Sequence, residues 1–432
     1  MKIAVIGGAG VRTPLLVSGL THSDLPIDEI ALYDIDRERL PIIGQLASHM
    51  AGGAARIATS DSVADCVTGA DFVFTSIRVG GLEQRIRDEA VSQRHGVVGQ
   101  ETVGPAGFAM AARTIPHMVR YAREISRAAP RAWIINFTNP VGMVTEAMRT
   151  ETDRVIGICD TPTELFGAVA QTLELDPSQC VFDYFGLNHL GWLREVYRGG
   201  VPQLRRLWNR PDRLQGIYRV PLFDPAALRA LELLPTEYVY YYDQPARAFE
   251  NVRRAGQTRG QAIAELTRVL FESLRTPRAD TVTLYTSYLW TRSAGYMMIE
   301  SGSDEPATPA RASGLSGYDR IALSVVRAIH QNTNTIIPLS VPNHGNIPDL
   351  LDRDVVEVPC VVSANGAGPL HVGRVPDDIA PLLAAVKEYE RLTVRAALAQ
   401  SMGAATEALA HNPLLPDRAT AVRLIRDLSP LW

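Results

Sequence analysis

Short apolar runs alternate with longer stretches whose apolar positions recur at helical spacing through the first 190 residues. The runs at 3–7, 29–34, 72–77, 133–137 and 155–159 are β-branched or aromatic and lack in/out alternation. Strands covered on both faces lose that alternation because neither face meets water. Between them lie stretches such as 105–129, with a helical apolar period. Strands alternating with helices predict an α/β fold, a Rossmann-like doubly wound parallel sheet. After His189 the pattern changes. Residues 195–310 read as helix-rich, with proline-containing connections and a tyrosine cluster, and 304–316 as a loop. A final helix is expected over 380–410. The chain therefore divides into a Rossmann-like domain, 1–194, and a helix-rich α+β domain, 195–432, for substrate and oligomer contacts.

The length of 432 residues exceeds one ordinary core, which supports two domains. A net charge of −4 lacks the basic excess of a nucleic-acid binder. No apolar run approaches the roughly 20 residues of a membrane span. The start, Lys2-Ile3-Ala4-Val5-Ile6-Gly7, reads as a strand and not as a secretory signal. The cysteines Cys66, Cys159, Cys180 and Cys360 have no regular spacing, so no disulfide framework is expected. A reducing cytoplasm suits such a chain and leaves a thiol free for a metal.

The segment Gly7-Gly8-Ala9-Gly10-Val11-Arg12-Thr13-Pro14 follows the first run. A dinucleotide-binding turn needs glycines for tightness and for close approach of the pyrophosphate, whose charge the next helix N-terminus receives. Gly8 and Gly10 supply G-x-G, but Thr13 stands where a third glycine would. Asp34 closes the second run, where an acid accepts hydrogen bonds from ribose hydroxyls. Gly7, Gly8, Gly10 and Asp34 are thus candidate cofactor residues. The acid favours NAD, while Arg37 and Arg39 keep NADP open. A glycine turn without a nucleotide is the other reading.

More specific segments follow. They are Arg78–Glu89, Gly99-Gln100-Glu101-Thr102-Val103-Gly104-Pro105 and Asn136-Phe137-Thr138-Asn139-Pro140. Gly157-Ile158-Cys159-Asp160-Thr161-Pro162 and Phe185-Gly186-Leu187-Asn188-His189-Leu190-Gly191-Trp192 come next, then Asn343-His344-Gly345-Asn346-Ile347 and Val355-Val356-Glu357-Val358-Pro359-Cys360. Along its length the chain resembles glycoside hydrolase family 4, most closely its 6-phospho-β-glucosidases. That resemblance implies bound NAD, a divalent metal, usually manganese (Mn2+), a phosphorylated glycoside as substrate, and a homodimer or homotetramer. It implies cleavage by transient oxidation rather than by two carboxylates. Hydride leaves C3, a base takes the C2 proton, the C1 substituent is eliminated, water adds, and the hydride returns.

By resemblance, Cys159 and His189 hold the metal. Thiolate plus imidazole leaves coordination positions for sugar oxygens. Taken singly, the two read equally as a buried cysteine and a core histidine. Tyr238, in Pro235-Thr236-Glu237-Tyr238-Val239-Tyr240-Tyr241-Tyr242, matches the family base. A phenol with a pKa of about 10 is a weak base unless a cation stabilises the phenolate. Arg259, in Gln257-Thr258-Arg259-Gly260, matches a family arginine for that task. The tyrosine run also reads as an aromatic core patch. Arg78 is assigned to the cofactor. Arg85 matches the arginine that grips the sugar 6-phosphate through paired, charge-assisted hydrogen bonds. Its alternative is a helix ion pair with Asp88 or Glu89. Asn139 and Asn188 match asparagines near the sugar, or are capping residues.

Three departures from the family bear on substrate. Asp160 follows the metal cysteine where β-type enzymes carry Asn; α-type enzymes carry Asp there as general acid. Gly10, Val11 and Arg12 replace the usual Ser and Tyr, and a tyrosine-rich stretch is reduced to Gly317-Tyr318-Asp319. The expected reaction is hydrolysis of 6-phospho-β-glucosides. Phospho-α-glucosides and unphosphorylated glycosides stay open, as more distantly do a 2-hydroxy-acid dehydrogenase and a nucleotide sensor.

Overall fold

The computed structural model describes residues 1–276, 280–303 and 317–432. The expected loop 304–316 lies outside the described residues. Six strands run parallel: β1 (Lys2–Ile6), β2 (Glu29–Tyr33), β3 (Arg56–Thr59), β4 (Phe72–Thr75), β5 (Trp133–Asn136) and β6 (Val155–Gly157). Their spatial order is β3-β2-β1-β4-β5-β6. The winding reverses between β1 and β4, which opens a crevice above their carboxyl ends. Ile3 and Val5 pack into one apolar core, Ala4 and Ile6 into the other. Both faces of β1 are therefore dry, and the sequence shows no alternation there. Strand β3 was not expected, because its four residues are short and partly exposed at the sheet edge.

An antiparallel sheet follows, built from β7 (Cys180–Leu187), β8 (Leu190–Arg198), β9 (Val201–Pro202) and β10 (Leu234–Pro235). Three later strands, β11 (Thr335–Pro342), β12 (Val355–Ser363) and β13 (Gly366–Pro369), extend the first sheet beyond β6, each antiparallel to the strand before it in the sheet, making it nine-stranded. Residue 194 falls within β8, and β11–β13 carry the second half of the chain into the first sheet. The rest of the C-terminal part is helix-rich.

The helix Gly104–Ala128 meets the expectation for 105–129. The expected helix 380–410 is instead two, Ala380–Ala399 and Met402–Ala410. Gln400 turns left-handed at φ 47°, and the Ser401 hydroxyl caps the second helix through the Ala404 N–H. The apolar period runs on through this break and hides it. No helix among the described residues is long and apolar enough to cross a membrane.

One buried cation ties these parts together. Lys387 Nζ donates to Glu146 Oε2 at 2.8 Å, Glu390 Oε2 at 2.9 Å and the Val355 carbonyl at 3.0 Å. It thereby joins the helices Val141–Met148 and Ala380–Ala399 to β12. Lys387→Met strips two enclosed carboxylates of their cation and is expected to cost about 3–5 kcal/mol. Urea unfolding measures this; a loss under about 1 kcal/mol would mean the carboxylates find other partners.

Candidate active site

The crevice begins at the glycine turn after β1. Gly7 has φ 96°, and a Cβ there would lie 2.2 Å from the Ser76 carbonyl oxygen. A Cβ on Gly8 would sit 2.9 Å from that of Leu32. The Gly7 and Gly8 N–H groups donate to the Tyr33 carbonyl at 2.9 and 2.8 Å, so the turn is pinned to β2. Gly10 donates to the Gly7 carbonyl at 3.1 Å. The helix Thr13–Thr21 starts here without a side-chain cap, which leaves its first turn able to meet an anion. Asp34 Oδ2 accepts the Ala9 N–H at 3.0 Å, and burial raises its carboxyl pKa. A backbone cradle that excludes side chains, beside an acid, fits a pyrophosphate and its ribose.

Cys159 lies two residues beyond β6. His189 occupies the two-residue turn between β7 and β8, with φ 64°, a left-handed conformation rare for a side-chain-bearing residue. Cys159 Sγ and His189 Nε2 are 3.5 Å apart. The imidazole tautomer can be deduced. The Thr102 N–H and hydroxyl both donate to Gln100 Oε1, each at 2.9 Å. With its proton so committed, Thr102 Oγ1 accepts from His189 Nδ1–H, also at 2.9 Å. The Nε2 lone pair therefore points to Cys159. Burial pushes the His189 pKa down to about 4, against Glu101 and Asp160, keeping the ring neutral as a ligand must be. Burial raises the Cys159 thiol, and a cation bound there would reverse that preference.

The donor set fits an ion. A thiol sulfur and an imidazole lone pair 3.5 Å apart are a donor pair that one divalent cation could bridge. Among the described residues no three His, Cys, Asp or Glu side chains converge to hold a metal. Asn139 Oδ1, beyond β5 on the same edge, is buried and unpartnered among the described residues. Such an acceptor suits contact with a ligand.

Tyr238 stacks on His189 with ring centroids 3.8 Å apart and planes within 2°. Pairing of Pro235 with Trp192 brings its segment beside β8. Burial raises the phenol pKa, and Glu101 adds to that. Arg259 stands at the start of the helix Arg259–Leu274, where its Nη2 donates to the Arg292 carbonyl at 2.5 Å. Arg85 is buried. Its Nε donates to Glu89 Oε1 at 2.7 Å and its Nη1 to Glu101 Oε2 at 2.6 Å. Arg78 Nη2 meets the same Glu101 oxygen at 2.5 Å. Burial pushes the Glu101 carboxyl up, but Arg78, Arg85 and Arg292 outweigh it and hold it well below the usual carboxylate range. The helix ion pair expected as an alternative for Arg85 is present, in a buried cluster instead of on a solvated face.

Asp160 precedes the helix Thr161–Thr172, with Oδ2 3.5 Å from Arg12 Nη1. The Arg12 guanidinium lies 4.7 Å over the Tyr318 ring, which stacks on Phe137 at 3.9 Å. Asn188 Nδ2 donates to Glu357 Oε1 at 3.1 Å, and the Tyr184 hydroxyl donates to Oε2 at 2.8 Å. Gly191 makes this possible: a Cβ there would fall 1.9 Å from the Tyr184 hydroxyl.

Family models match most of the chain: the family 4 glycosyl hydrolase model over residues 2–175 and its C-terminal domain over 184–415. The chain belongs to glycosyl hydrolase family 4. It is 31% identical to a "Probable 6-phospho-beta-glucosidase" of Bacillus subtilis (strain 168), over 99% of this chain and 95% of that protein. A solved 6-phospho-beta glucosidase from Thermotoga maritima, with manganese, NAD+ and glucose-6-phosphate, superposes with TM-score 0.83 at 28% identity, covering 100% and 98% of the two chains. A 6-phospho-alpha-glucosidase from gut microorganisms, in complex with NAD and Mn2+, does so with TM-score 0.83 at 25% identity, covering 100% and 98%. A 2-hydroxy-acid dehydrogenase or a bare nucleotide sensor does not fit this membership.

Several residues of this family 4 site had been assigned no role from sequence. Gln100 and Thr102 orient His189, Glu101 pairs with two arginines, and Glu357 anchors Asn188. Glu357 did carry a signal, a lone acid in the apolar strand Val355–Ser363. Glu237 stood out as an acid within the tyrosine run. Thr102→Val removes the acceptor that fixes the His189 tautomer. Titration of the protein with Mn2+ is expected to show binding about 10–100-fold weaker. Unchanged affinity would remove His189 from the metal site.

Proposed function

We propose that this family 4 enzyme hydrolyses 6-phosphorylated glucosides, β-linked ones first, as a cytoplasmic homo-oligomer using NAD and a divalent metal. The observation that carries the reading is the 3.5 Å approach of Cys159 to His189, with Tyr238 stacked on the imidazole. Gly7, Gly8, Gly10 and Asp34 would cradle the dinucleotide, with Arg78 above β4, and Cys159 and His189 would hold the ion. When bound, the nicotinamide accepts and returns a hydride at C3, and the ion polarises the neighbouring sugar oxygens. Tyr238 removes the C2 proton. Arg85 takes the 6-phosphate, which competes with Glu101 for the guanidinium. Asn139 and Asn188 orient the sugar hydroxyls. Arg259, one guanidinium away from this cluster, adds positive charge to the pocket.

Asp160 favours a second reading, 6-phospho-α-glucosides. Its carboxyl, next to the proposed metal cysteine, would protonate the departing oxygen, and relatives of both kinds support keeping this reading.

The test is turnover of p-nitrophenyl β-glucoside 6-phosphate and its α-anomer with NAD, Mn2+ and reductant, each omitted in turn. Release from the β-anomer that fails without NAD or metal is the expected result; release from the α-anomer alone would install the second reading. Arg85→Lys keeps a cation opposite Glu89 and Glu101 but loses the guanidinium fork. It is expected to raise KM for the phosphorylated substrate about tenfold. An unchanged KM would withdraw Arg85 from the phosphate.

A further inference from the structure

The helix Thr281–Ala294 belongs to the second half of the chain, yet it docks on the glycine turn of the first. Its buried Tyr285 donates to the Val11 carbonyl at 2.7 Å. Positions 285, 288 and 292 share one helix face, and Arg292 lies two turns, about 10 Å, beyond Tyr285. Arg292 is half-buried, and its Nη1 donates to the Tyr288 hydroxyl at 3.0 Å. Thr267 Oγ1, on the helix Arg259–Leu274, stands 3.1 Å from that hydroxyl and steadies it. Among the described residues Arg292 forms no ion pair, so the partner its side chain meets is a neutral phenol.

Arg12 comes from the glycine turn itself. Its guanidinium rests 4.7 Å over the Tyr318 ring and only loosely on Asp160, at 3.5 Å. The side chain is 39% exposed, so N–H donors remain for a ligand. The two arginines also feel each other. Burial lowers the Arg292 pKa, and the Arg12 charge adds to that against Tyr288 and Glu101. Cations held this near one another, one loosely paired and one without a carboxylate, call for an anion between them.

We propose that Arg12 and Arg292 bracket the pyrophosphate of the bound dinucleotide. The inference rests on the reading that Gly7, Gly8 and Gly10 cradle that group. A pyrophosphate carries two negative charges on a row of acceptor oxygens, which two guanidinium forks match through charge-assisted hydrogen bonds. The glycines permit close approach, and the arginines supply the opposite charge. Tyr285 ties the Arg292 helix to the turn, which favours the dinucleotide over a sugar phosphate as the anion. One arginine from each half of the chain then closes on the cofactor. That grip holds NAD in place between the departure of the hydride and its return.

The test measures binding, not turnover. NAD, ADP-ribose, adenosine and glucose 6-phosphate are titrated by calorimetry into wild type, Arg12→Met, Arg292→Met and Arg292→Lys. ADP-ribose keeps the pyrophosphate without the nicotinamide, and adenosine has no phosphate. Each Met variant is expected to bind NAD and ADP-ribose about tenfold more weakly and adenosine as wild type does. Arg292→Lys keeps the charge but loses the fork, and is expected to fall between. Without NAD, Arg292→Met is expected to melt no lower than wild type, because the cation it removes has no carboxylate partner. NAD then raises its Tm by less. A clear fall in that Tm would make Arg292 part of the fold and overturn the proposal. NAD affinity within twofold of wild type in either Met variant overturns it, as does an equal loss for adenosine. Weakened glucose 6-phosphate with unchanged NAD also overturns it and gives Arg292 to the sugar. If Arg292→Met does not fold, Arg292→Lys and Arg12→Met decide by the same measures. A wild-type protein that binds no NAD refutes the cradle reading and the bracket with it, whereas wild-type binding that these variants leave unchanged refutes the bracket alone.

Discussion

His189 is gripped on three sides, and the site depends on that grip. The β7–β8 turn holds its backbone left-handed at φ 64°. Thr102 fixes the ring tautomer from behind, and Tyr238 lies flat against one face. Each constraint comes from a different part of the chain, so the imidazole cannot swing away from Cys159. Strain of this kind persists only where the surroundings over-determine it. Here they do, because β8 also pairs with β10 and thereby delivers the segment that carries Tyr238. Placing His189 and placing Tyr238 are one structural event.

Buried charge is the second constraint. Glu101 bridges Arg78 and Arg85, Asp88 pairs with Arg113, and Lys387 serves two glutamates. An unpaired ion in such surroundings costs several kcal/mol, and each of these ions has a partner of opposite sign. At Arg85 an anionic ligand would compete with Glu89 and Glu101 for the guanidinium. That exchange favours ligands with a phosphate's geometry and charge over those with a simple hydroxyl. The Arg12–Asp160 contact, 3.5 Å long and partly exposed, is a looser pair.

The parallel strands, the helix Gly104–Ala128 and the glycine turn were legible in the sequence because each is a local requirement. Dry strands need unbroken apolar runs, an amphipathic helix needs its period, and a turn at φ 96° needs glycine. Cys159, His189 and Tyr238 were legible as types of residue within motifs. The edge strand β3 and the break at Gln400 were not, since four half-exposed residues carry little pattern and a capped break leaves the apolar period intact. Nor was the return of β11–β13 to the first sheet, because strand pairing joins residues far apart in the chain.

By itself, then, the chain determined its element types, its glycine turn and the motifs that hold the proposed site residues. Tertiary structure decided their relations. It set the 3.5 Å between Cys159 and His189, the hydroxyl that chooses a tautomer, and the sharing of one Glu101 oxygen by two arginines. It also set Glu237 facing Tyr296 although Glu237 neighbours Tyr238 in sequence. The physical reason is that propensity and hydrophobic period act over a few residues, whereas hydrogen bonds and charge pairs depend on distance in space.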